Sequence, residues 1–264
     1  MKSMFLAALC AAPLAAAATA AAAAAPVCSR QSPAHTVALL ELYTSEGCSS
    51  CPPADRFVSG LRASSGSAAG HGDHGDRLVP LSLHVDYWND IGWVDRFSSA
   101  TFTERQRWLS GLVGSRTIYT PEFFLAGRED RGWYRDLDEA VRRINAKPAQ
   151  ADIRIAFSRP AGGKLPFEVK ARAGQAAKLF VALYQNGIQT EVRAGENKGA
   201  TLRHDYVVRE WLGPVAVPAA GDGMTLARSL DLPAGAEAKN LGLAAFVQND
   251  RGEVLQALSL PLCE

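Results

Sequence analysis

The chain has almost no charge of either sign to spare. Its formal net charge is +1, and Lys2 is the only charged residue before Ala25, so losing that leader leaves a neutral chain. Neutrality removes the electrostatic case for nucleic acid or an anionic membrane surface as partner. No second close cysteine pair accompanies Cys48 and Cys51, whereas a structural zinc site wants about four ligands. No apolar run after the leader is long enough to span a bilayer. No internal repeat is visible. The segment from Ala63 to Asp76 has few apolar residues. It holds His71, Asp73 and His74, but its glycine separators give no preorganised metal site, so it reads as a loop. Nothing here calls for a cofactor or a metal.

What is present starts with the leader. Lys2, the apolar Phe5-Leu6-Ala7-Ala8-Leu9 and an alanine tract to Ala25 read as a cleavable signal peptide over residues 1–25. An uncleaved anchor is the alternative. Cleavage implies a periplasmic or secreted protein with no later membrane insertion, in a compartment where disulfides persist. Five cysteines then become four, because Cys10 leaves with the leader. With Cys48 and Cys51 as one pair, Cys28 and Cys263 remain near the two ends, and an even count predicts a structural disulfide between them.

The cysteine pair lies in Gly47-Cys48-Ser49-Ser50-Cys51-Pro52-Pro53. The apolar run Val37–Tyr43 before it reads as a buried strand. The two prolines fit the first turn of a helix, where a missing N–H costs nothing. Two thiols three residues apart at a helix N-terminus favour redox chemistry, since the helix end stabilises a thiolate and the second thiol can resolve a mixed disulfide. Cys48 is expected to attack and Cys51 to resolve. A zinc half-site and a purely structural disulfide are the alternatives.

Further on, Leu78–Val85 reads as a second strand that runs into His84-Val85-Asp86-Tyr87-Trp88. If that strand is parallel to the first, His84, Asp86 and Trp88 fall at the periphery of a site beyond the strand ends. Otherwise the segment is an aromatic turn capping the core. Thr101–Leu109 reads as a helix, and Tyr119-Thr120-Pro121 leads into a strand from Glu122 to Gly127. Arg131–Tyr134 reads as its returning hairpin strand, and Leu137, Ala140, Val141 and Ile144 sit at helical spacing. After a boundary near Pro148, about seven short strands separated by turn residues give the pattern of a β-sandwich. The polar stretch from Gly187 to His204 is either a lid over the cysteines or a long hairpin connection.

This element order resembles the thioredoxin fold. The string Glu41-Leu42-Tyr43-Thr44-Ser45-Glu46-Gly47-Cys48-Ser49-Ser50-Cys51-Pro52-Pro53-Ala54-Asp55 resembles a secreted bacterial family of unknown function, DUF1223. Leu83–Trp88, Phe102–Gln106, Tyr119-Thr120-Pro121, Gly195-Glu196-Asn197 and His204 match it too. The resemblance implies an α/β thioredoxin-like fold over 26–148 followed by an all-β sandwich-like domain over 149–264. It implies that Glu41 is a buried acid relaying the proton of Cys51, unless an arginine pairs it instead. It also implies that Thr120-Pro121 is a cis dipeptide facing the cysteines. The expected function is a thiol–disulfide oxidoreductase whose partners are protein thiols or disulfides, a membrane redox protein among them. The alternatives are a copper or other soft-metal carrier using Cys48, Cys51 and His84, and a non-catalytic binding module.

Overall fold

The computed structural model describes residues 28–63, 76–219 and 221–263. The expected signal peptide and most of the glycine-rich loop after Ala63 lie outside the described residues. In chain order the elements are β1 (Cys28–Gln31), β2 (Ala38–Thr44), α1 (Pro52–Ala63), β3 (Leu78–His84), α2 (Ala100–Leu112), β4 (Glu122–Leu125), β5 (Arg128–Glu129) and α3 (Trp133–Asn145). There follow β6 (Ala151–Phe157), β7 (Lys164–Ala173), β8 (Ala177–Gln185), β9 (Ile188–Glu191), β10 (Thr201–His204), β11 (Val207–Val217), β12 (Met224–Asp231), β13 (Leu241–Gln248) and β14 (Val254–Pro261).

All seven residues of β2 and all seven of β3 are buried, the polar Glu41, Thr44, Ser82 and His84 among them. The two strands are parallel, from Ala38 opposite Leu78 to Thr44 opposite His84. β4 lies antiparallel on the other side of β2. Pro52 and Pro53 open α1, and Ser99 caps α2 by accepting a hydrogen bond from the Thr101 amide. Trp133, expected in a hairpin strand, instead begins α3, and the return strand is only the two residues of β5.

The expected thioredoxin-like fold followed by a separate sandwich is not what forms. β3 is not an edge strand. Val207 of β11 pairs with Ser82, and one mixed sheet runs β14-β13-β8-β11-β3-β2-β4-β5. Only three α-helices occur among the described residues, and strands predominate. A second, antiparallel sheet has the order β1-β6-β7-β12. Its edge strand β1 comes from the lead-in before Val37, which the sequence left irregular.

The physical reason is burial on both faces. In β8, Phe180, Ala182 and Tyr184 enter the core shared with β2, β3 and the helices. The alternate residues Leu179, Val181 and Leu183 enter the core between the two sheets. β13 divides the same way, with Ala244 and Phe246 on one side and Leu243, Ala245 and Val247 on the other. Successive residues of a strand point to opposite faces, so a sandwich strand open to water on one face would alternate with polar residues. The uninterrupted run Leu179–Tyr184 does not, and that signal was available in the sequence.

Candidate functional site around the cysteine turn

β2 ends at Thr44, and its parallel neighbour β3 ends at His84, so the turn after β2 sits where the sheet gives way to α1 and the aromatic segment. Cys48 and Cys51 form a disulfide with a Cα–Cα distance of 5.4 Å. The Cys51 amide donates to the Cys48 carbonyl at 3.2 Å, and the Ala54 and Asp55 amides donate to the Cys51 carbonyl, starting the helix. Ser49 and Ser50 are exposed, whereas both cysteines are fully buried. The Ser50 hydroxyl lies 3.3 Å from Cys48 Sγ and donates to the Thr120 carbonyl at 3.3 Å. The Thr120–Pro121 peptide is cis. Trp88 joins this group, its Nε1 donating to Thr120 Oγ1 at 2.8 Å. A Cβ on Gly47 would lie 3.2 Å from Trp88 Cβ, so glycine permits that close approach.

The connection between β9 and β10 folds over the turn. Asn197 Nδ2 donates to the carbonyls of Glu46 and Cys48, each at 2.9 Å. The Ser49 amide donates to Glu196 Oε2 at 3.1 Å, and these bonds to Ser49 hold the Glu196 carboxyl below its ordinary range. Gly195, at φ +73°, sits so close to Trp93 that a Cβ there would lie 3.0 Å from the Trp93 Cβ. The sequence left this segment between a lid and a plain connection, and the contacts make it a cover.

Behind the turn lie five ionisable side chains, all buried: Glu46, Asp55, His84, Asp95 and His204. Asp95 Oδ2 is 2.6 Å from His84 Nδ1 and accepts from the Glu46 amide. Thr44 donates its hydroxyl to Asp55 Oδ1 at 3.0 Å, and Trp93 Nε1 donates to Glu46 Oε2 at 2.9 Å. His204 stands between two carboxylates, with Nε2 3.5 Å from Glu46 Oε1 and Nδ1 3.8 Å from Asp55 Oδ1. Its ring meets that of His84 edge-on at 5.1 Å. Burial works against the imidazolium, but Asp55 and Glu46 outweigh it and push the His204 pKa up to about 10. Burial and the nearby Asp95 charge also work against the Glu46 carboxylate, yet the His204 imidazole beside it and the Trp93 bond bring its pKa below the ordinary value. Asp95 is likewise lowered against burial, by the charge and hydrogen bond of His84.

Not every expected residue reaches this place. Glu41 is fully buried, but its carboxylate is clamped by Arg105 of α2, Nε to Oε1 at 2.5 Å and Nη2 to Oε2 at 3.1 Å. The Arg105 guanidinium also donates to Gln248 and lies 4.9 Å from the ring centroids of both Phe180 and Phe246. Thr44, an odd number of residues from Glu41, turns the opposite way and meets Asp55 of α1. So the acid on α1 one turn beyond Cys51 is Asp55. Asp86 accepts from Thr103 Oγ1 at 2.5 Å and ties the aromatic segment to α2. Cys28 and Cys263 are disulfide-bonded across 235 residues, with Cα atoms 6.2 Å apart. Among the described residues, no group of three or more His, Cys, Asp or Glu side chains is arranged to hold a metal ion. Glu46, Asp55, Asp95 and Trp93 are the site residues that sequence reasoning passed over. Only Asp55, four residues past Cys51, carried a local signal.

The fold has relatives among solved structures. The crystal structure of protein AGR_C_4864 from Agrobacterium tumefaciens is similar at 26% identity and a TM-score of 0.56, covering 87% of this chain and 96% of that one. HBP35 of Porphyromonas gingivalis shares the fold at 17% identity and a TM-score of 0.64, covering 88% of this chain and 76% of that one. No functionally curated protein matches. The model of the family described as protein of unknown function (DUF1223) matches residues 39–248, so the chain belongs to that family.

Proposed function

We propose that the protein is a thiol–disulfide oxidoreductase with Cys48 and Cys51 as its redox couple. The observation that carries this is the disulfide at the start of α1, with Cys48 Sγ beside Ser50 and Ser50 bonded to Thr120. A helix N-terminus favours the thiolate form of a cysteine placed there. In the reductive direction the Cys48 thiolate attacks one sulfur of a substrate disulfide, whose S–S bond breaks and whose leaving thiolate takes a proton from water. The Cys51 thiol passes its proton through water to the second substrate sulfur as that sulfur leaves, and the Cys51 thiolate attacks Cys48 Sγ. That breaks the mixed disulfide and releases the second substrate thiol. Two electrons pass to the substrate, and the protein disulfide re-forms. The substrates on this reading are protein thiols or disulfides, with a membrane redox protein to reset the pair.

We also propose a periplasmic or secreted location. The leader, the two disulfides and the lack of any described helix long and apolar enough to cross a membrane are compatible with it. The full burial of both cysteines favours a second reading, a binding module with a structural disulfide. Reduction of a fluorescent disulfide-linked peptide by the reduced protein separates the two. Turnover that disappears in Cys48→Ser supports the oxidoreductase; no turnover by the wild type supports the module.

A further inference from the structure

Cys48 is fully buried although its neighbours Ser49 and Ser50 are exposed. The main chain around it is occupied from the far side of the chain. Asn197 takes the Glu46 and Cys48 carbonyls, and Glu196 takes the Ser49 amide. That amide belongs to the turn whose N–H groups would stabilise a thiolate on Cys48. A carboxylate already occupies that donor of the turn.

We propose that Glu196-Asn197 is a displaceable cover whose two side chains do separate things: Glu196 opposes formation of the Cys48 thiolate, and Asn197 closes access to its sulfur. Glu196 is thus a positioning residue for the chemistry of Cys48. The inference rests on Cys48 being the attacking thiol, but it needs no substrate to be tested. A like charge nearby disfavours an ionised form. Other ionisable groups surround the turn from each neighbouring element. Glu46 lies in the turn itself, Asp55 on α1, His84 on β3, Asp95 on the aromatic segment, His204 on β10, and Glu122 two residues past Thr120. Among these and Glu196, Glu196 alone has a side-chain hydrogen bond to the 48–50 segment among the described residues. Glu196 is itself exposed, so replacing it leaves the core untouched.

The test is the alkylation rate of Cys48 by iodoacetamide against pH, in the full chain carrying Cys10→Ser and Cys51→Ser, so that Cys48 is the one free thiol beside the Cys28–Cys263 disulfide. With Glu196→Gln the midpoint of the profile should fall by about one pH unit, which raises the rate below the midpoint about tenfold. With Asn197→Ala the midpoint should stay, and the plateau rate at high pH should rise about tenfold. An unchanged midpoint in Glu196→Gln overturns the electrostatic role, and an unchanged plateau in Asn197→Ala overturns the cover. Should both shifts occur while the wild type fails to reduce a disulfide peptide, the cover stands and the oxidoreductase assignment falls.

Discussion

At the scale of single residues, Glu41 is the instructive case. A carboxylate on a fully buried strand must find a partner or lose its charge. Glu41 finds Arg105, which aromatic rings and Gln248 hold in turn. Removing one member leaves the other charge buried and uncompensated, at a cost of about 3 to 5 kcal/mol. Glu41→Gln should therefore lower the urea midpoint sharply while leaving the alkylation profile of Cys48 unmoved. A changed profile at wild-type stability would return Glu41 to the site. His204 gives the pH dependence. Its pKa rises from 6.5 to about 10 on folding, so its stabilisation is fully present below pH 6.5 and is lost as the pH climbs towards 10. Urea unfolding from pH 7 to 10 should show the wild type weakening by on the order of a few kcal/mol. His204→Gln should start less stable at pH 7 and change little across that range. Parallel curves for the two proteins would mean that the imidazolium is not held by Glu46 and Asp55.

At the scale of elements, the segment between β9 and β10 folds over the cysteine turn. Its placement depends on a glycine pair. Gly92, at φ +104°, and Gly195, at φ +73°, approach so closely that a Cβ on Gly92 would lie 3.4 Å from Gly195 Cα. A side chain at Gly195 would meet both an unfavourable backbone conformation and the Trp93 Cβ. Gly195→Val should lift the tip from the cysteine turn. The expected result is faster reduction of the Cys48–Cys51 bond by dithiothreitol, by about tenfold if roughly 1.4 kcal/mol of hydrogen bonding is lost. The melting temperature should change little, since the tip is peripheral to both cores. Reduction at the wild-type rate would show that the segment does not limit access.

At the scale of the whole molecule, the pairing of β3 with β11 joins the two halves of the chain through one sheet, and the Cys28–Cys263 bond ties its ends. A cross-link closing 235 residues removes much of the freedom of the unfolded chain. By the chain-entropy relation it contributes on the order of 5 to 6 kcal/mol. Cys263→Ser combined with Cys28→Ser should lower stability by up to that amount and leave the exchange chemistry of Cys48 unchanged, as read by chemical denaturation alongside the alkylation assay. A loss of Cys48 reactivity in that double variant would mean that the distant bond helps to shape the cysteine turn.

The sequence alone determined the features that local chemistry fixes. The buried strand before the cysteines, the proline-opened helix after them and the pairing of the terminal cysteines follow from short-range rules and from counting thiols. Tertiary structure decided the rest. Which strand covers the open edge of β3 is a choice among many apolar strands of similar pattern, and only packing of both faces of β8 and β13 selects it. Which cation neutralises Glu41 is settled by a residue 64 positions away, and the cover and His204 come from about 150 positions beyond the cysteines. Burial in a low-dielectric interior makes each such partner obligatory, but it does not mark in the sequence which distant residue will serve.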